Sequence, residues 1–180
     1  MNLHPIFVHF PISLLTLYTL LELLRFKATK KQPAWFYLKA VLVICGTVGS
    51  TIALFTGSAA KRAILTGVIK AQVTDPRLII NLHETWAKGA SLIYLLLAAG
   101  YAVAWINKFD FINHLPGKTL KWIWQAGIQI QKLLIETKLV VILSIAGLIA
   151  ITIAGALGGS LVYGQNTDPM VRFIFQFITQ

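Results

Sequence analysis

Two of the four histidines lie within the first ten residues, in the string His4-Pro5-Ile6-Phe7-Val8-His9-Phe10-Pro11, and a third, His83, opens a later apolar run. Imidazole is the side chain that most readily binds a metal or exchanges a proton near neutral pH. Two neutral imidazoles from facing helices at one depth can take both axial positions of a haem iron. That chemistry also needs a gap lined by small residues for the porphyrin, and basic groups near its propionates. His9 and His83 are the expected axial pair of a b-type haem. Gly57 and Gly158 end neighbouring helices at the same level, and Arg62 or Arg77 can meet the propionates. His4 is a spare ligand, rotated by about 140° from His9 because five residues separate them on a helix. It fits a supporting or small-metal role, and a non-haem metal or quinone site built from His4, His9 and His83 is a further alternative. Against all of these stands the plain outcome, in which interfacial histidines bind a backbone carbonyl or water.

The elements that must position these residues are helices. His4 precedes a proline and is biased towards extended backbone, whereas Pro5 suits the first helical position, so the first helix is expected to start there. His9 then sits on its second turn, with Ser13 and Thr16 on the same face, expected to look into a bundle. Pro11 has no N–H and releases a carbonyl one turn back, near Phe7, which a membrane tolerates only where a neighbouring group or water satisfies it. Glu22 lies near the far end, within one turn of Arg25, and reads as an interfacial ion pair or snorkelling carboxylate rather than a proton relay.

Composition sets the class. Of 180 residues, 57% are hydrophobic and 12% charged, with mean hydropathy +0.73, which excludes an ordinary soluble domain and indicates several membrane spans. A bilayer needs roughly 20 mostly apolar residues per helix, and four runs qualify, at about 5–24, 35–55, 86–106 and 139–161. The first has no basic segment before it and leads to Arg25 and Lys27 rather than to a small-residue cleavage site, so it reads as a retained span. The expected fold is all-α: a polytopic membrane protein, one transmembrane domain over 1–180, forming a four-helix bundle with peripheral amphipathic helices. Those amphipathic helices are expected at about 59–72, 119–137 and 169–178.

The net charge of +10 would point to nucleic acid in a soluble chain; here it reports topology. Ten lysines and arginines flank or fill the first and third connections and six lie on the other side. The positive-inside rule then puts both termini outside, in a cytoplasmic (inner) membrane. His4, His9 and His83 share the outer side and His114 is alone inside. Cys45 is the single cysteine, so no disulfide framework or cysteine metal site exists, and it reads as an ordinary buried apolar residue.

Small residues form stripes at Gly46, Gly49, Ser50, Ala53 and Gly57, and again at Gly147, Ala154, Gly155, Gly158 and Gly159. They allow close approach of a neighbouring backbone or a flat ligand. Ala87, Ala90 and Tyr94 continue the face of His83, and Glu84 can pair with Lys88 one turn on. Asp168-Pro169 reads as an N-cap followed by a first-position proline. No P-loop, dinucleotide fingerprint or nucleophile elbow is visible.

The string HPIFVHFPISLL, then Phe55-Thr56-Gly57, then Arg77 followed by His83, and finally Gly158-Gly159-Ser160-Leu161-Val162-Tyr163 resemble a family of bacterial four-helix membrane domains of unknown function. The resemblance covers most of the chain. It implies a four-span bundle whose relatives are in some cases joined to periplasmic cytochrome c domains, and hence electron transfer. The chain departs from that pattern in having no CxxCH, so it carries no covalent haem, and in its long, tryptophan-rich third connection.

The leading expectation is therefore a membrane-embedded b-type haem protein for electron transfer at the outer face. Its partners would be the lipid bilayer and a periplasmic cytochrome or quinone, and not nucleic acid. The alternative is a non-redox structural or partner-binding subunit, as a homo-oligomer or part of a complex.

Overall fold

The computed structural model describes residues 4–24, 32–109 and 116–179. Within them the chain is all-helical. Helix α1 spans His4–Leu23, α2 Pro33–Leu65, α3 Pro76–Asn107, α4 Lys118–Gln131, α5 Leu139–Tyr163 and α6 Pro169–Thr179; a π-helical turn, Lys132–Glu136, follows α4. His114 and the basic residues Arg25, Lys27, Lys30 and Lys31 lie outside the described residues.

Local chemistry places the ends. Asp75 accepts hydrogen bonds from the backbone N–H of Arg77 and Leu78, with Pro76 as the first helical residue, so α3 starts there. Asp168 caps α6 in the same way through Met170 and Val171, ahead of Pro169. Helix α5 ends at Gly164, whose φ of 94° is open to glycine and costly for other residues.

Helices α2, α3 and α5 are each long and apolar enough to cross a membrane, and α1 carries a shorter apolar stretch, Phe7–Leu23. Two boundaries differ from the sequence expectation. Helix α2 runs unbroken to Leu65, so the first half of the surface helix expected at 59–72 is its continuation. Helix α3 starts ten residues before Trp86, because the Asp75-Pro76 cap nucleates it there. These extensions put Lys61, Ile80, His83 and Glu84 on packed helices.

The four long helices form a ring in the order α1, α2, α3, α5, with α5 closing onto α1. Neighbours run antiparallel: the start of α1 meets the end of α2 at His4–Thr56, the end of α2 meets the start of α3 at Lys61–Glu84, and the start of α3 meets the end of α5 at His83–Ala154. Small residues set the spacing. A Cβ on Gly46 would fall 2.6 Å from Leu15, and one on Gly147 would fall 2.7 Å from the Tyr94 ring, so both glycines mark contacts too close for any side chain. Conversely, Val41, Val48, Ile52 and Phe55 make an apolar stripe on the outward face of α2. Cys45 belongs to that stripe and is exposed, not buried, because it lies opposite the Gly46–Thr47 side that packs inward.

Candidate functional site

The inward face of α1 is read off its buried positions: Pro11, Leu15, Tyr18, Thr19 and Glu22 are enclosed. Their spacing of three and four, extended back by one turn at a time, passes Val8 and reaches His4. His9 falls about 140° away and is exposed, as is Ser13. The face expected to look inwards therefore looks outwards. The physical reason is that a serine on a membrane helix needs no neighbouring helix: Ser13 Oγ donates to the carbonyl of His9, 2.9 Å away, within its own turn.

The structure brings His4, not His9, to His83. Their ring centres are 6.4 Å apart with planes at 85°, and both rings line one cavity of about 160 Å³ together with Gly57, Lys61, Glu84 and Gly158. Each glycine is the wall behind a histidine. A Cβ on Gly57 would lie 3.1 Å from His4 Cε1, and one on Gly158 would lie 3.1 Å from His83 Cε1. The two glycines thus accommodate the imidazoles themselves. Arg62 and Arg77 are exposed and do not line this cavity. Its basic groups are Lys61 and Lys88, both 2.7 Å from the Glu84 carboxylate.

Hydrogen bonds fix which nitrogen of each ring carries the proton. His83 Nδ1 is 2.7 Å from the carbonyl oxygen of Ala154, which can only accept, so Nδ1 is the donor. His4 Nδ1 is 3.1 Å from Thr56 Oγ1, which itself donates to the carbonyl of Ala53 at 3.0 Å. Both contacts are satisfied together only if Nδ1–H of His4 donates to Thr56. In the neutral rings the basic lone pair is therefore on Nε2 of both histidines, the arrangement in which one ring nitrogen is anchored to the protein and the other is suited to a metal.

Beside this cavity, sharing Ala53 and Leu54 with it, a nearly apolar second one of about 80 Å³ extends along Ala87, Ala90 and Gly155 to Tyr94. Among the described residues no three His, Cys, Asp or Glu side chains are grouped to hold a metal ion, so His9 does not join His4 and His83 as a third ligand.

A second polar cluster lies nearer the other end of the bundle and was not anticipated. Glu22 is fully buried rather than snorkelling. It accepts a hydrogen bond from the Tyr101 hydroxyl and pairs with Lys39 at 3.0 Å. Tyr18 packs edge-on between Tyr94 and Tyr101, with ring centres at 6.2 and 5.9 Å, and the Tyr94 and Thr19 hydroxyls lie 2.9 Å apart. The sequence signal was the recurrence, at spacings of three and four, of polar or tyrosine positions, Tyr18, Thr19 and Glu22, on the inward stripe of α1.

A family model described as Predicted membrane protein (DUF2231) matches residues 1–168, and the chain belongs to that family. No curated protein and no solved structure matches the chain.

Proposed function

Starting from a member of a membrane-protein family, we propose that the chain is an electron-transfer protein that holds one b-type haem between His4 and His83. One observation carries the reading: two imidazoles from different helices, each anchored through Nδ1–H, with ring centres 6.4 Å apart. Imidazoles from two helices at this separation are the donor type that would hold a haem iron. Bound there, haem iron supplies one-electron chemistry. The residues of the chain do the rest: the Thr56 hydroxyl and the Ala154 carbonyl hold the two rings, Gly57 and Gly158 give them room, and Lys61 and Lys88 supply positive charge where propionates need it. An electron partner would be a periplasmic cytochrome or a quinone reaching this end of the bundle.

The proposal includes α1 as a fourth span, since its 20 residues suffice for a bilayer and it closes the ring of long helices. It also includes an inner-membrane location with both termini outside. A cysteine beside Lys30, in a Cys45→Ala background, should be shielded from an impermeant thiol reagent in intact cells while one near Asn166 reacts. The reverse pattern would invert the topology.

The second reading is a non-redox structural or partner-binding subunit. The cavity favours it: about 160 Å³ is below the roughly 300–1,000 Å³ of ordinary ligand pockets, so a macrocycle requires the helices to part. A reduced-minus-oxidised visible spectrum of the purified protein separates the two. One low-spin b haem per chain supports the first reading; a well-folded, haem-free preparation that takes up no added haem supports the second.

A further inference from the structure

At the end of the bundle opposite the histidines, a cavity of about 510 Å³ opens between the start of α2, the end of α3 and the π-helical turn. Three lysines line it, one from each region: Lys39, Lys108 and Lys132. Glu136 is the one carboxylate in its wall among the described residues, and it accepts from the side chain of Gln131 at 3.4 Å. Glu22 lies buried behind Lys39 and is paired with it at 3.0 Å. The Lys108 ammonium is held in place by two ring faces, 3.7 Å from the centre of Phe36 and 4.4 Å from that of Tyr37, a contact that leaves its hydrogens able to donate elsewhere.

We propose that this cavity binds the phosphate headgroup of an anionic phospholipid. The position argues for a lipid: Trp35 lines the cavity, and Tyr37 and Trp105 pack edge-on beside it at 5.2 Å, the amphipathic rings that membrane proteins keep at headgroup level. The wall argues for a lipid over a free anion. Lysines and the amides of Asn107 and Gln131 share its wall with Phe36, Ala104 and Ile135, so it offers charge for a phosphate together with apolar surface for an acyl chain. Inorganic phosphate would use only the polar groups and leave most of the volume unfilled. The π-helical turn is what brings Lys132 and Glu136 to the cavity in place of a regular helical continuation, and such turns recur at binding sites.

The test uses the full-length protein in a neutral detergent, with phosphatidylglycerol, phosphatidylcholine or inorganic phosphate added, read by native mass spectrometry for retained lipid and by thermal midpoint. Phosphatidylglycerol should be retained roughly tenfold over phosphatidylcholine, as two lysines near a lipid phosphate warrant. Lys108→Gln with Lys132→Gln should remove that preference, while Lys121→Gln, on the exposed side of α4, should keep it. The lysine-to-arginine pair at 108 and 132 should also keep it, which separates lost charge from lost folding. Equal retention of the two lipids, a double glutamine variant that keeps the preference, or equal protection by inorganic phosphate alone would overturn the proposal.

Discussion

The two ends of this bundle treat buried polar groups in opposite ways. At one end the fully buried Glu22 carboxylate is held by Lys39 and Tyr101, whose other sides edge the wide cavity there. At the other, His4 contacts Thr56 of a neighbouring helix, His83 donates to the Ala154 carbonyl of another, and both rings line a cavity. A polar group whose partners all come from the protein stabilises the fold, or at least cannot be removed from it. A group at the edge of a cavity has room beside it for a ligand. In a bilayer, where an unpartnered polar group is expensive, that difference separates architecture from site.

The largest effect should come from breaking the closed cluster. Glu22→Ala leaves Lys39 and the Tyr101 hydroxyl without their buried acceptor and should cost about 3–5 kcal/mol, measured by denaturant unfolding in detergent. Replacing Glu22 and Lys39 together by methionine should cost far less, because no unpaired charge remains. A Glu22→Ala protein as stable as wild type would mean the cluster is not closed.

Helix spacing comes next. Gly147→Ala drives a Cβ to 2.7 Å from the Tyr94 ring and should cost about 1–3 kcal/mol through overpacking. Gly155→Ala meets nothing within 4 Å and should leave the unfolding midpoint unchanged. Equal effects of the two would contradict the packing of α3 on α5.

At the open end the stability changes shrink while the functional ones grow. Thr56→Val removes the acceptor of His4 Nδ1–H and should cost only about 1 kcal/mol in unfolding. Under the haem proposal the same change should weaken cofactor retention by about 10–100-fold, the usual consequence of losing the group that orients a ligating histidine. Smallest of all, Lys61→Ala removes one of two lysines on Glu84, whose side chain is 35% exposed, and should change stability by about 0.2–1 kcal/mol. A larger loss would show that the rim of the cavity is structural.

Much of this was legible in the sequence, for identifiable reasons. Apolar runs near bilayer length, small-residue stripes and the Asp168-Pro169 cap gave an all-α membrane protein, and the resemblance carried by the HPIFVHFP string pointed to the kind of family the chain belongs to. His83, Gly57 and Gly158, expected at one level, line one cavity. The choice between His4 and His9 failed because Ser13 and Thr16 were taken as markers of the inward face. Hydroxyls can bond within their own helix, whereas Tyr18 and Glu22 cannot, and they mark the face that leads back to His4. Glu22 was read against Arg25 three residues along; its burial depends on Lys39 and Tyr101 from two other helices, which no local spacing reveals. Continuation of α2 to Leu65 was masked by the polar residues Lys61 and Arg62, whose charges fit a helix end as well as a surface helix.

The most direct test of the account is the visible spectrum of three single variants, His4→Ala, His83→Ala and His9→Ala, each purified in folded form. The account predicts that the first two lose the low-spin haem bands while His9→Ala keeps them. Loss of the bands in His9→Ala with retention in His4→Ala would contradict it.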